Sequence, residues 1–182
     1  MTKKIKILLV DDHPLVREGL ANLVGQQPDF EICGEANNEP QALELIGTIH
    51  PDVAIAIDVN HTNDNPDAID GKFNADVALG KGPVLAKGAN VNPVLLELLV
   101  DTARAHKIPV QIEPRPMPTY TDANPLQVTH GGTAAALVGI PNRYMHAPTE
   151  LVSLDDVEWA IELLAALIPR IGADADFRPL KP

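Results

Sequence analysis

The chain has 182 residues, 45% of them apolar and 21% charged, with a net charge of −11. That composition is ordinary for a folded protein and argues against disorder. A domain this long buries roughly 70% of its unfolded surface and needs no metal or disulfide staple. The acidic balance predicts no nucleic-acid partner, because phosphate affinity comes mainly from Lys and Arg. No apolar run reaches the length of a membrane span. Met1–Lys6 carries charge but Asp11 and Asp12 interrupt the apolar run that follows, which predicts a cytoplasmic protein. One cysteine, Cys33, cannot close an internal disulfide.

In chain order, Lys6–Val10 is a continuous apolar run of the kind that forms a buried parallel strand. Asp12 is placed to cap a helix with Pro14 in its first turn and Val16, Leu20, Leu23 and Val24 on one face. Phe30–Gly34 reads as a second strand. Asn38 then caps a helix whose apolar side is Ala42, Leu43, Leu45, Ile46 and Ile49. Asp52–Val59 is a third buried strand. This β-α-β-α-β order predicts a parallel start with right-handed crossovers.

Asn60–Phe73 reads as a long polar loop holding His61, Asp64, Asp67 and Asp70. Its spacing lacks the Gly and terminal Glu of an EF-hand, so a solvated acidic loop is expected. Val77–Ala86 is strand-like but broken by Gly80 and Gly82. Asn92, followed by Pro93, caps a helix with Leu95, Leu98, Leu99 and Ala103 along its face. Pro109–Ile112 and Thr133–Ile140 read as strands, Asp122–Val128 as a short helix and Pro141–Pro148 as a loop. Ser153 begins the last helix, with Asp156 as a capping-box partner and a core stripe of Val157, Ile161, Leu164 and Ile168. Trp159 falls at a core edge. The fold expected is α/β: a three-layer α/β/α sandwich with a flavodoxin-like parallel start, continuing into a mixed sheet of the phosphorylase/hydrolase-like type. One domain spans 1–182.

Two stretches resemble known families. Ile7-Leu-Leu-Val-Asp-Asp-His-Pro-Leu-Val-Arg-Glu-Gly-Leu, Gly34-Glu-Ala, Ala42-Leu-Glu-Leu and His50-Pro-Asp-Val resemble a response-regulator receiver domain of the NarL type over residues 1–53. The resemblance implies that Asp11 and Asp12 hold Mg²⁺. It places the phosphoacceptor at position 57, which is Ile57; Asp58 is the nearest carboxylate, one residue out of phase. The signalling reading is a Mg²⁺-binding phosphoacceptor module.

Residues 54–182 resemble the C-terminal half of the dinuclear metallo-aminopeptidases of the glutamyl or deblocking kind, some of them labelled endoglucanases. The motifs are Ile55-Ala-Ile-Asp-Val-Asn-His-Thr-Asn-Asp-Asn-Pro, Leu79-Gly-Lys-Gly-Pro-Val, Gly88-Ala-Asn-Val-Asn-Pro, Thr121-Asp-Ala-Asn-Pro-Leu-Gln, Gly131-Gly-Thr-Ala and Ile140-Pro-Asn-Arg-Tyr-Met-His-Ala-Pro. Tyr120 and His130 depart from the family's usual Gly and Arg. The resemblance implies that Asp58 and His146 are metal ligands. Two hydrolytic metals need further ligands and a base, and the family supplies these upstream, where this chain is receiver-like.

The two resemblances meet near Pro51–Ile57, inside one strand. The expectation is therefore an engineered chimeric scaffold without intact catalysis, not an enzyme. A residual metal-dependent aminopeptidase is the main alternative. No cofactor is required on this reading; adventitious Mg²⁺ or Zn²⁺ at the vestigial ligands Asp11, Asp12, Asp58 and His146 is the most expected. The sequence does not fix the oligomeric state; a former contact surface left exposed would drive a homodimer.

Overall fold

A computed structural model describes residues 4–10, 14–25, 28, 30–49, 53–64, 76–119, 121, 123–128, 132–171 and 175–179. Its elements are β1 (Ile5–Val10), α1 (Pro14–Gly25), β2 (Phe30–Ala36), α2 (Glu39–Ile49), β3 (Val53–His61), β4 (Val84–Gly88), α3 (Pro93–His106), β5 (Gln111–Arg115), α4 (Ala123–Gln127), β6 (Ala134–Arg143), β7 (Leu151–Val152) and α5 (Leu154–Leu167). A short 3₁₀ turn, Ile168–Arg170, follows α5. The protein is α/β, with a parallel first pair of strands and a later mixed sheet, in agreement with the pattern of the sequence.

The strands divide into two hydrogen-bonded sheets. β1 and β2 form a parallel pair, and β3-β6-β4-β5 form a second sheet in which β7 adds to β6. In the second sheet β3 runs parallel to β6 in an unbroken register from Val53↔Ala134 to His61↔Asn142. A continuous apolar run specifies a buried strand but not its partner. Here the small residues Ala134, Ala135, Ala136 and Gly139 let the two backbones align along their whole length.

In the first sheet the register shifts between Ile7 and Leu8, which pair with Ile32 and Gly34. Cys33 is the extra residue of that bulge. Its thiol is half-buried, and burial pushes its pKa up. Asn38 caps α2 as the sequence predicts, its Oδ1 accepting from Gln41 N at 2.9 Å. Ala42 and Ile46 are buried beneath it. The expected cap Asp12 lies outside the described residues, as do the side chains of Val16, Leu20, Leu23 and Val24.

The main core lies between the second sheet and its helices. Leu85, Leu95, Leu99, Val138, Leu163 and Leu167 are fully buried in one cluster, with Trp159 packed at its margin. α3 and α5 pack on each other and α4 packs on β3 and β6. Asn92 caps α3 with its Oδ1, which accepts from Val94 N and Leu95 N at 3.0 Å each.

α5 corrects two expectations. Its buried positions are Asp156, Ala160, Leu163 and Leu167, one residue ahead of the stripe read from the sequence, and Ile161 is exposed. Asp156 is not a capping-box residue. It is fully buried, and its two oxygens accept from Gly80 N at 2.8 Å and Gly82 N at 2.7 Å. Gly82 has φ 93° and its α-carbon abuts the Pro109 carbonyl, so no side chain fits there. Strand β5 includes Pro114, which an edge strand tolerates.

Candidate functional site

Asn60 and His61 belong to strand β3 rather than to the loop expected from their polarity, and β6 likewise continues through Pro141 to Arg143. The strand ends therefore carry polar residues into a structured region. Thr62 N donates to Asn142 O at 3.1 Å and prolongs the parallel alignment beyond β3. Beyond it, Arg143 holds Asp64 by two hydrogen bonds, Nε to Oδ1 at 3.0 Å and Nη2 to Oδ2 at 2.6 Å. This bidentate guanidinium holds the Asp64 carboxyl well below the usual carboxylate range. Asp64 is thus committed to Arg143, while Asp67 and Asp70 lie outside the described residues.

Asn60 is buried and lies over Gly139, where a Cβ would come within 2.8 Å of the Asn60 Cβ. Its Oδ1 accepts from Arg115 Nη2 at 2.8 Å. Arg115 Nε in turn donates to Glu113 Oε2 at 2.7 Å, with Glu113 fully buried. A buried carboxylate is tolerable only with such a partner. Neither residue stood out in the sequence. The signal was there in Gln111-Ile-Glu-Pro-Arg, where opposite charges two apart in a strand share one face.

Asp58 is exposed, and its Oδ1 accepts from its own neighbour, Val59 N, at 2.7 Å. His146 stands in a turn after β6 in which Tyr144 (φ 62°) and His146 (φ 67°) are both left-handed. Ala147 N closes that turn on Tyr144 O at 2.9 Å. Glu150 Oε1 accepts from His146 N at 2.8 Å, and Glu150 Oε2 accepts from Asn142 Nδ2 at 2.5 Å. These two donors hold the Glu150 carboxyl below its ordinary pKa.

The imidazole that meets His146 is His61, not a side chain foreseen as its partner. The ring centroids are 6.3 Å apart in an edge-on arrangement. Burial, then the neighbouring His146 and the Arg115 charge, keep the His61 pKa below its ordinary value and favour the neutral ring. Asp58 and His61 are three residues apart on one strand and so point to opposite faces. No ion pair joins Asp58 to His146. Asp11 and Asp12 lie outside the described residues.

The donor types suit a hydrolytic metal in part. Two imidazoles near one strand end are the type of nitrogen ligand that zinc or cobalt takes. Among the described residues, however, no three His, Cys, Asp or Glu side chains gather as a metal site. Among the same residues, no helix is long and apolar enough to cross a membrane.

The N-terminal segment is similar to the nitrate/nitrite response regulator protein NarL of Escherichia coli, 44% identical over 54 residues, covering 30% of this chain and 24% of the regulator. A longer stretch is similar to lysyl aminopeptidase of Pyrococcus furiosus, 42% identical over 131 residues, covering 72% of this chain but only 36% of that protein. Among solved structures, aminopeptidase APDkam598 from Desulfurococcus kamchatkensis matches with a TM-score of 0.62 at 33% identity, covering 73% of this chain and 38% of that one. Residues 42–163 match the M42 glutamyl aminopeptidase family. This match overturns the expectation that the chain is not an enzyme, because the family it falls in is one of peptidases. The incompleteness inferred from the sequence was an argument about missing motifs, and motif absence is a weak guide when ligands come from scattered segments. By the extent of that match, the chain belongs to the M42 glutamyl aminopeptidase family.

Proposed function

We propose that this chain works in metal-dependent removal of N-terminal residues from peptides, and that it contributes His146 to the metal site. The observation that carries this reading is the presentation of His146. A turn held in an uncommon backbone conformation by Glu150 sets that imidazole beside His61, within the segment similar to lysyl aminopeptidase. A bound divalent ion would polarise the scissile carbonyl and lower the pKa of its water. The chain's own residues fix the imidazoles, keep the His61 ring neutral and brace the strand ends through Asn60, Arg115 and Glu113.

The same proposal reads the chain as a chimera of a receiver-like fragment, 1–53, and an aminopeptidase fragment, 54–182. Supporting it, β1–β2 and β3-β6-β4-β5 are separate sheets among the described residues, and the chain is similar to a response regulator over 54 residues and to an aminopeptidase over 131. The test is hydrolysis of leucyl, lysyl and glutamyl p-nitroanilides with added Zn²⁺ or Co²⁺. Turnover that His146→Ala abolishes is the expected result. Rates equal to a protein-free blank would overturn the reading.

A further inference from the structure

Glu150 is an exposed carboxylate that does not end free in solvent. One oxygen holds the backbone N–H of His146 and the other holds the side-chain amide of Asn142. Asn142 is fully buried on β6, and β7, which begins at the residue after Glu150, pairs back onto β6 at Asn142 and Arg143. The carboxylate therefore bolts a turn to a buried position on a strand paired on both sides. The turn needs such a bolt. Two of its residues, Tyr144 and His146, have side chains yet adopt left-handed backbone angles, a conformation that persists only where the surroundings impose it.

We propose that Glu150 is a positioning residue: by joining Asn142 to the His146 backbone it fixes the direction in which the His146 imidazole is presented, towards His61. Its consequence for metal binding rests on the reading of His146 as a ligand; the bolt itself does not. Partners of this kind, one bond removed from a metal ligand, commonly change metal affinity about 10- to 100-fold when removed.

The experiment uses the full chain and two readouts. The first, without metal, is hydrogen exchange of the His146 backbone amide followed by NMR. Glu150→Ala should raise its exchange rate about 10-fold or more, while Glu150→Gln, which keeps one acceptor oxygen, should lie between. The second is Co²⁺ binding followed by visible absorbance. His146→Ala should abolish it and Glu150→Ala should raise Kd about 10-fold or more, with Glu150→Gln again intermediate. Unchanged exchange in Glu150→Ala overturns the proposal. So does faster exchange with unchanged Co²⁺ affinity, because Glu150 would then stabilise the turn without orienting the ring. If the unaltered chain binds no Co²⁺, or if His146→Ala binds it normally, the ligand reading falls and the bolt is judged on exchange alone.

Discussion

Residues 5–49 and residues 53–171 are built from the same kinds of element but differ in what they can bury. Among the described residues the first region has two strands and two helices; its buried apolar side chains include Leu9, Ala36, Ala42 and Ile46. None of these joins the main cluster, which draws on residues from Leu85 to Leu167 and takes in part of β3. Among the described residues its two strands have no third neighbour, and they depend on α1 and α2 packing against them. Similarity of sequence to a known fragment thus does not guarantee equal stability; a half-sheet brings its pattern but not the partner strand that made the pattern sufficient.

Several changes would sharpen or break this contrast. The largest effect is expected from Leu99→Ala, which empties a fully buried position and should cost about 2–5 kcal/mol. Trp159, the only tryptophan, packs on that cluster and so reports on the second region alone. Urea unfolding followed by its fluorescence should show the full loss. Ile46→Ala should leave the fluorescence midpoint in place and move only the early part of the far-UV circular dichroism transition. Coincident transitions by both probes would mean that the regions unfold as one.

Next is Asp156→Ala. Two glycine N–H groups, that of Gly82 buried, lose their acceptor, at a cost of about 1–3 kcal/mol on the same fluorescence curve. Asn92→Ala removes a helix cap and should cost about 1 kcal/mol.

The smallest effect is pH-dependent. The folded Asp64 carboxyl titrates below its unfolded value because of Arg143. The stability this pair adds is therefore present above the unfolded pKa of about 3.9 and is lost as pH falls through the folded pKa. The stability gap between the unaltered chain and Asp64→Asn should shrink on acidification. A gap constant from neutral to strongly acid pH would remove Arg143–Asp64 from the account.

Much of this was legible in the residues. Asn38 and Asn92 announce their helices because an amide before an apolar-periodic run has one economical use, capping. The stripe on α5 was misplaced by one residue because Asp156 reads as surface, and only its contact with the Gly80–Gly82 turn, over seventy residues away, shows otherwise. Polar strand ends misled in the same way: Asn60, His61 and Asn142 look like loop residues until their ladder partners are known. Asp58 and His146 could be singled out by resemblance, whereas Glu150 and the Asn60–Arg115–Glu113 chain depend on tertiary contact. Sequence rules fail most at sites where local preference is sacrificed to chemistry.

The outer flank of β3 has a consequence for handling the protein. Among the described residues this nine-residue strand has one neighbour, β6, and Ile57 and Val59 beside that flank are exposed. A long apolar border of this kind is a template on which further molecules can polymerise. Asp58 is the gatekeeper: its negative carboxylate occupies the Val59 N–H and repels an incoming copy. Asp58→Ala, which removes that carboxylate, should therefore turn a dispersed solution towards fibrous aggregation.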